Sequence, residues 1–183
     1  MQTKNLRLKK GFITIEERRK SIDINLTTYK TTIKKFRNTE DLFQSLEDYQ
    51  VAVSTMKASK FYAAFKESID KWEHILSHIS EVIEVLLTVQ RQWMYLESIF
   101  MASEDIRKQL PTEAIIFEDM NNKFKNVMSA IHKDPNAEGS CTEKGRLEIV
   151  VDMDNQLQEI QKSLDAYLET KRMAFPIFLP FIK

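Results

Sequence analysis

The sequence predicts a mainly α fold: an elongated antiparallel helical bundle with one long central helix and a short N-terminal β-hairpin. Apolar residues recur at helical spacing from about residue 38 onward, and this periodicity is the first signal. Composition is the second, because the chain of 183 residues has only three glycines and four prolines and can form few tight turns. Hydrophobic residues at 43% and charged residues at 30% complete a pattern typical of amphipathic helices.

Charge and cysteine content exclude several classes of function. The 27 basic and 27 acidic residues balance, so we expect neither nucleic acid nor a membrane surface as a partner. A single cysteine excludes a disulfide framework. No uncharged apolar run approaches the roughly 18 residues of a transmembrane helix, and the basic start of the chain lacks the apolar stretch of a secretory signal. We therefore expect a reducing, intracellular compartment.

The first 37 residues carry two different patterns. Residues 1–20 are polar and basic without a sustained period; we leave this segment unassigned, with a frayed terminus favoured over an arm docked on the body. Residues 21–37 alternate apolar and polar side chains, which favours strands. We predict a hairpin that turns near Lys30–Thr32, although no Asn-Gly turn supports it. The apolar members of the pattern are Ile22, Ile24, Leu26, Ile33 and Phe36.

Residues 38–172 are predicted to form one helical domain. Asn38 or Thr39 can cap its first helix, and Glu40 and Asp41 lie in the first turn, where the helix dipole favours acidic groups. The apolar stripe of this helix steps by four and three residues. It consists of Leu42, Leu46, Tyr49, Val53 and Met56.

The dominant predicted helix begins at Ser59 and covers about 59–102. Its heptad positions are Phe65, Trp72, Ile79, Leu86, Trp93 and Phe100, and apolar residues also recur three and four positions later. Three apolar positions in seven predict at least two packing neighbours. The helix would be about 65 Å long, which is why we expect an elongated body.

A cap and two prolines delimit the next helices. Ser103 precedes two acidic residues and can cap a short helix. Pro111 stands at a favoured first-turn position of a longer helix, which should end near Lys133 because Pro135 cannot continue it. The apolar stripe of this longer helix is Phe117, Met120, Phe124, Val127 and Ile131.

The C-terminal part divides into a loop, a helix and a tail. Residues 134–145 hold two of the three glycines and are predicted to be a loop. A last helix covers about 146–172, with apolar residues again three and four apart. The apolar segment 173–183 contains two prolines, so we expect it either to fold back or to belong to a longer chain.

Motifs for catalysis or cofactor binding are absent from the sequence. The string Gly139–Gly145 lacks the Gly-Lys-Ser/Thr order of a phosphate-binding loop. His74 and His78 have the spacing of zinc proteases, but isoleucine follows the first histidine where those enzymes need glutamate. Solvent-facing positions are therefore favoured over a metal site. We expect no cofactor, no metal and no catalysis.

Cys141 and several aromatic residues are the remaining candidates. Basic neighbours could lower the pKa of the Cys141 thiol in part, but no histidine partner can be named for a nucleophile. Aromatic residues on the long helix favour core packing, with an interaction hot spot as the alternative. Because apolar residues occupy the largest part of the helix circumference around 93–100, we expect a packing neighbour on every side of the helix there. The candidate packing or interaction anchors are Trp72, Trp93, Tyr95, Phe100, Phe175 and Phe178.

Specific strings in the sequence resemble one family. The segments VQRQWMYLESIF, DIRKQLP and IQKSLDAYLETKR resemble the linker region of dynein heavy chains in order and spacing. Their residues are more similar to axonemal than to cytoplasmic dyneins. The resemblance covers about 21–176, and the first 20 residues match nothing in the family. The family has arginine where Ile177 stands, and the ring of ATPase modules, the stalk and the microtubule-binding tip are missing. We therefore expect a linker fragment, from a truncated gene model or a splice product.

The resemblance implies a mechanical role without catalysis in this chain. In dyneins the linker lies across the ATPase ring and bends and straightens as ATP is turned over, which couples the ring to movement along microtubules. The implied partners are the ATPase ring and remaining linker of the same heavy chain, and, through the full complex, intermediate chains, light chains and microtubules. The implied location is the cytoplasm and cytoskeleton, in the axoneme of a cilium. Bending could concentrate at 134–146, Ser103 and Pro111.

Two other functions fit parts of the same evidence. A free-standing, spectrin-like helical scaffold that binds a protein partner would share the heptads and the balanced charge, so that only the specific strings separate it from a linker. A helical-bundle enzyme or metal protein is the third hypothesis. Metal binding abolished by His74→Ala would support it.

Overall fold

The computed structural model describes residues 10, 11, 13, 14, 17, 22–60 and 62–174. The ranges 22–60 and 62–174 form two strands and six helices, which confirms the predicted mainly α fold with a short hairpin. The strands are β1 (Leu26–Tyr29) and β2 (Ile33–Phe36). The helices are α1 (Thr39–Lys57), α2 (Tyr62–Phe100), α3 (Glu104–Gln109), α4 (Pro111–Lys133), α5 (Ala137–Thr142) and α6 (Arg146–Ala174).

Helix α2 forms the axis of the structure, and the other long helices pack along it. It has 39 residues and is therefore about 58 Å long. Helix α1 runs antiparallel to the middle of α2, since Lys57 pairs with Glu73, Gln50 bonds to Ser80, and Phe36, just before α1, bonds to Gln90. The second half of α2 carries α4, also antiparallel, and α6, which runs antiparallel to α4. One helix thus joins two packing regions.

The heptad pattern forms the core. Five of the six heptad residues of α2 are buried and Phe65 is half-buried. The stripes of α4 and α6 are buried against them, apart from the half-buried Tyr167. The prediction of at least two neighbours for the long helix is confirmed, because α2 packs against α1, α4, α5 and α6.

The hairpin forms where the alternation predicts it. Antiparallel pairs run from Leu26 opposite Phe36 to Tyr29 opposite Ile33, with the turn between them at 30–32. Lys30 has φ 54°, in the left-handed region that glycine or asparagine usually adopts in such a turn. This explains how the hairpin turns without an Asn-Gly pair.

Several helix boundaries differ from prediction. Helix α2 begins at Tyr62 rather than Ser59, whose carbonyl accepts the Tyr62 N–H in the preceding turn at 2.9 Å. Asn38 is in the left-handed region at φ 50°, and its side chain makes no capping bond within the described chain, so that predicted cap is wrong. The Ser103 cap is confirmed, since its hydroxyl accepts the Ile106 N–H at 3.2 Å.

The prediction of a loop over 134–145 is wrong in part, because residues Ala137–Thr142 form a helix. The side chain of Asn136 accepts the Gly139 N–H at 3.0 Å and caps α5. The sequence Asn-Ala-Glu after Pro135 is a typical helix start, but a helix of six residues is too short to show a period of apolar residues. Ala137, Ser140 and Cys141 of this helix are buried.

The two chain ends are described only in part. Within 1–20, residues 10, 11, 13, 14 and 17 are helical, and the Thr14 hydroxyl donates to the Lys10 carbonyl at 2.8 Å. A Cβ on Gly11 would lie 3.1 Å from Cε of Met56 on α1. Gly11 therefore lies close to α1, and the choice between a frayed terminus and a docked arm for residues 1–20 stays a prediction. Residues 175–183, with most of the predicted tail, lie outside the described residues.

Candidate functional site

The predicted anchors divide between the core and the surface. Trp72, Trp93 and Phe100 are buried, whereas Tyr95 is 44% exposed. The expectation of a neighbour on every side at 93–100 is therefore wrong for the described chain, because the Tyr95 side of α2 faces solvent. Phe175 and Phe178 lie outside the described residues.

Aromatic and polar side chains from three elements meet at the junction of the hairpin with α2 and α4. The indole of Trp93 is fully buried and stacks on Phe124 of α4, with ring centroids 4.5 Å apart. Tyr29, at the end of β1, meets the same indole edge-on at 5.7 Å. Three elements that are distant in sequence thus share one aromatic cluster, an arrangement that favours tight packing.

Polar groups fix the orientation of this cluster. The Trp93 Nε1–H donates to Oδ1 of the buried Asn121 at 3.2 Å. The Phe36 N–H, at the end of β2, donates to Oε1 of Gln90 at 2.7 Å. Both bonds satisfy groups that burial would otherwise penalise.

A buried carboxylate anchors the turn of the hairpin. The Glu97 side chain is only 7% exposed, and it forms an ion pair with Nζ of Lys30, whose side chain is 51% exposed. The Tyr29 hydroxyl lies 3.5 Å from the other carboxylate oxygen. The hydrogen bond to Glu97 raises the pKa of the Lys30 ammonium above its ordinary value, so Lys30 stays charged near neutral pH.

Sequence reasoning missed Glu97 and Asn121, although a signal for both exists. Glu97 follows Trp93 by four residues and precedes Phe100 by three, and Asn121 stands in the same relation to Phe117 and Phe124. Each polar residue therefore lies within an apolar stripe and had to be buried. A polar group at such a register predicts a buried hydrogen bond.

A second set of contacts joins the start of the hairpin to the former loop. The Ile24 N–H donates to the Pro135 carbonyl at 2.7 Å, and the Ala137 N–H donates to the Ile22 carbonyl at 2.8 Å. Asp23 and Asn136 form an antiparallel bridge between these two bonds. The backbone of 22–24 thus holds the α4–α5 connection in place.

The histidines and Cys141 have structural surroundings. His74 is exposed, whereas Nε2 of His78 lies 3.2 Å from the Cys141 carbonyl. Burial raises the pKa of the Cys141 thiol to about 12, although Arg146 opposes that shift. The expectation of a lowered pKa is wrong because desolvation outweighs the nearby positive charge. A thiol that stays protonated is a poor nucleophile.

Arg146 is a further buried polar group that sequence reasoning passed over. Its Nε donates to the Ser140 carbonyl at 3.1 Å, and its guanidinium pairs with Glu143. These bonds connect the end of α5 to the start of α6. Within 22–60, 62–174 and the few described N-terminal positions, no three His, Cys, Asp or Glu side chains form a group suited to a metal ion. Over the same residues, no helix is long and apolar enough to cross a bilayer.

The surface beside α6 offers a shallow apolar groove. It has a volume of about 290 Å³ and is lined by Glu113 and Ile116 of α4 and by 155–163 of α6. Helix α6 continues for eleven residues beyond Ser163, the last residue that lines this groove. Leu168 and Met173 are exposed on this extension.

Comparison with known proteins places these elements in a family. The family described as dynein heavy chain, N-terminal region 2, matches residues 3–180. Dynein axonemal heavy chain 2 of Mus musculus is 51% identical over 177 residues, which are 96% of this chain and 4% of that protein. The dynein-1-beta heavy chain, flagellar inner arm I1 complex, of Chlamydomonas reinhardtii is 48% identical over 176 residues, with the same two coverages. Dynein axonemal heavy chain 2 of Homo sapiens is 56% identical over 144 residues, 79% of this chain and 3% of that protein.

The extent of these matches corrects one prediction and confirms another. The family match begins at residue 3, so the statement that the first 20 residues resemble nothing in the family is wrong. The chain spans about 4% of the length of the relatives from mouse and Chlamydomonas. The match covers nearly all of the sequence, and the resemblance seen in its strings is confirmed: the chain belongs to the dynein heavy chain family.

Proposed function

We propose that this chain is a segment of the linker of an axonemal dynein heavy chain, where it acts as a stiff lever and performs no catalysis itself. The observation that carries the proposal is the single 39-residue helix α2, supported by α1 along its middle and by α4 and α6 along its second half. A helix packed on several sides resists bending better than an isolated one. Family membership supplies the motor to which such a lever would belong.

The partners follow from the same proposal. The remainder of the heavy chain, including its ATPase ring, would contact this segment directly. Intermediate chains, light chains and microtubules would be reached through the complex. The exposed end of α6 and the groove beside α4 are surfaces on which more of the linker could pack. The names of the relatives mention axonemes and a flagellar inner arm, so we place the protein in the cytoskeleton of a cilium or flagellum.

The structure favours one site of bending over the others considered. Residues 134–146 are tied to 22–24, to His78 and to each other by hydrogen bonds, which argues against a hinge there. None of the six residues of α3, all of them described, is buried. We therefore place flexibility at the α2–α4 connection, residues 101–110, where little packing would have to be broken.

The test is made in an axonemal dynein heavy chain that contains this segment. Leu86→Pro would break α2 at a fully buried position between the two packing regions. We expect ATP hydrolysis by the motor to persist within about twofold, while microtubule gliding slows by about tenfold, because the ring is intact and the lever is not. Glu84→Ala, at an exposed position of the same helix, is the control and should leave both rates unchanged.

Two results would count against the proposal. Unchanged gliding by the Leu86→Pro motor would mean that α2 does not transmit displacement. Hydrolysis of ATP by the purified 183-residue chain, measured as phosphate release above buffer, would mean that the segment has a catalytic site of its own.

A further inference from the structure

We propose that residues 22–36 form a releasable strap, which closes over α2 and the α4–α5 connection and whose closure depends on the pairing of the Glu97 carboxylate with Lys30. The strap comprises the segment 22–24 and the hairpin β1–β2. It is a property of this fold, and its test does not depend on the proposed function.

The strap reaches three parts of the body. Its start pairs with 135–137 through backbone hydrogen bonds. Its turn meets α2 through Glu97 and Trp93, and its end bonds to Gln90 on the same helix. Strand β2 also packs against α4. Closing the strap therefore fixes the positions of α2, α4 and α5 relative to one another.

The hairpin has little stability apart from these contacts. Ile22, Ile24 and Phe36 of the strap are buried, whereas the other residues of its two four-residue strands are half-buried or exposed. A two-stranded hairpin is at best marginally stable alone in water. The long helices, by contrast, bury continuous apolar stripes. The strap should consequently open at a lower free energy than the helical body unfolds.

The ion pair makes this opening sensitive to charge. The Glu97 carboxylate contacts the strap through Lys30 and the Tyr29 hydroxyl, so opening would remove both partners and admit water to it. Because Lys30 is half exposed, the ion pair adds little net stability, but loss of Lys30 leaves the buried carboxylate unpaired, which is costly. Neutralising Lys30 should therefore shift the strap toward the open state without disturbing the helices, which keep their own core.

Hydrogen exchange on the purified 183-residue chain tests the strap. Lys30→Met removes the charge and keeps the aliphatic stem. We expect exchange of amides in 26–36, including the Phe36 amide, to accelerate by about tenfold or more, while amides of α4 and α6 change by less than about twofold. Lys108→Met is the matched control, because Lys108 pairs with Glu104 on the surface with both side chains more than two-thirds exposed. It should leave exchange in 26–36 unchanged.

Two further variants separate charge from shape. Lys30→Arg keeps the charge and should retain slow exchange in 26–36. The double variant Lys30→Met/Glu97→Leu removes both charges and should restore slow exchange. Trp93 gives a second readout in a Trp72→Phe background, where its fluorescence should change on opening because Tyr29 leaves the indole.

Either of two outcomes overturns the proposal. Exchange in 26–36 that is unchanged by Lys30→Met would mean that the ion pair does not hold the strap. Equal acceleration in 26–36 and in α4 and α6 would mean that the hairpin opens only when the whole chain unfolds.

Discussion

Buried polar side chains determine how the apolar stripes of this chain meet. Glu97, Asn121 and Arg146 each occupy a core register of a helix and each bonds to a different element or turn. Apolar side chains alone tolerate several packings of similar volume. A buried polar group accepts only the packing that satisfies it, so these three residues specify the relative positions of the hairpin, α4 and α5.

The Trp93–Asn121 bond gives a direct prediction at this scale. Asn121→Leu keeps the volume but leaves the buried indole N–H without its acceptor, and we expect a loss of about 1–3 kcal/mol in the free energy of unfolding. Chemical denaturation of the purified chain measures it. Asn122→Leu, at an exposed neighbouring position, is the control and should change stability by less than about 0.5 kcal/mol. Equal losses in the two variants would show that the bond contributes nothing.

Cys141 predicts a pH dependence with a defined sign. Because burial raises the thiol pKa from 9.0 to about 12, the unfolded chain loses the proton at lower pH than the folded chain. Stability should therefore fall as pH rises from 9 toward 12, more steeply than in Cys141→Ala. Denaturation of both proteins across that range compares the slopes. Near pH 8 the folded thiol should react with a thiol reagent far more slowly than the unfolded one, and rapid labelling of the folded chain would contradict its burial.

At the scale of elements, the α2–α4 connection should be the flexible one. We expect amides in 101–110 to exchange faster than those in 86–96 and in 134–146, as measured by mass spectrometry. Ser103→Ala removes the cap of α3, which costs about 1 kcal/mol, and should accelerate exchange in 101–110 further. Ser129→Ala, at an exposed position within α4, should have no such effect. Exchange in 134–146 as fast as in 101–110 would contradict the assignment.

How far the sequence predicts an element depends on its length and on the range of its contacts. Four helices have apolar stripes of several turns. The sequence predicted that these helices exist and which faces are buried, and it placed their ends to within about three residues. Helix α5 was missed because six residues are too few to show a period of apolar residues. The hairpin was predictable from the alternation of apolar and polar residues. The helix on which it packs was not, because Lys30 and Glu97 are 67 residues apart and no local pattern links them. The candidate site is built from such distant pairs.

At the scale of the molecule, α2 is the long helix that both packing regions share among the described residues. Helix α1 packs along its middle, and α4 and α6 pack along its second half. The account therefore depends on α2 remaining straight between them. Leu86 and Val89, where the two regions meet, are fully buried, so a bend there would expose core residues to water.

A distance between the two ends of α2 tests this claim most directly. Spin labels are attached to cysteines introduced at the exposed positions Lys71 and Ser98, in a Cys141→Ala background, and the distance distribution is measured by pulsed electron paramagnetic resonance. For an unbroken helix, we expect one narrow distribution of the label-to-label distance, centred at about 40 Å. A broad distribution, or a second population at clearly shorter distance, would show that α2 bends and would contradict the proposal that this segment is a stiff lever.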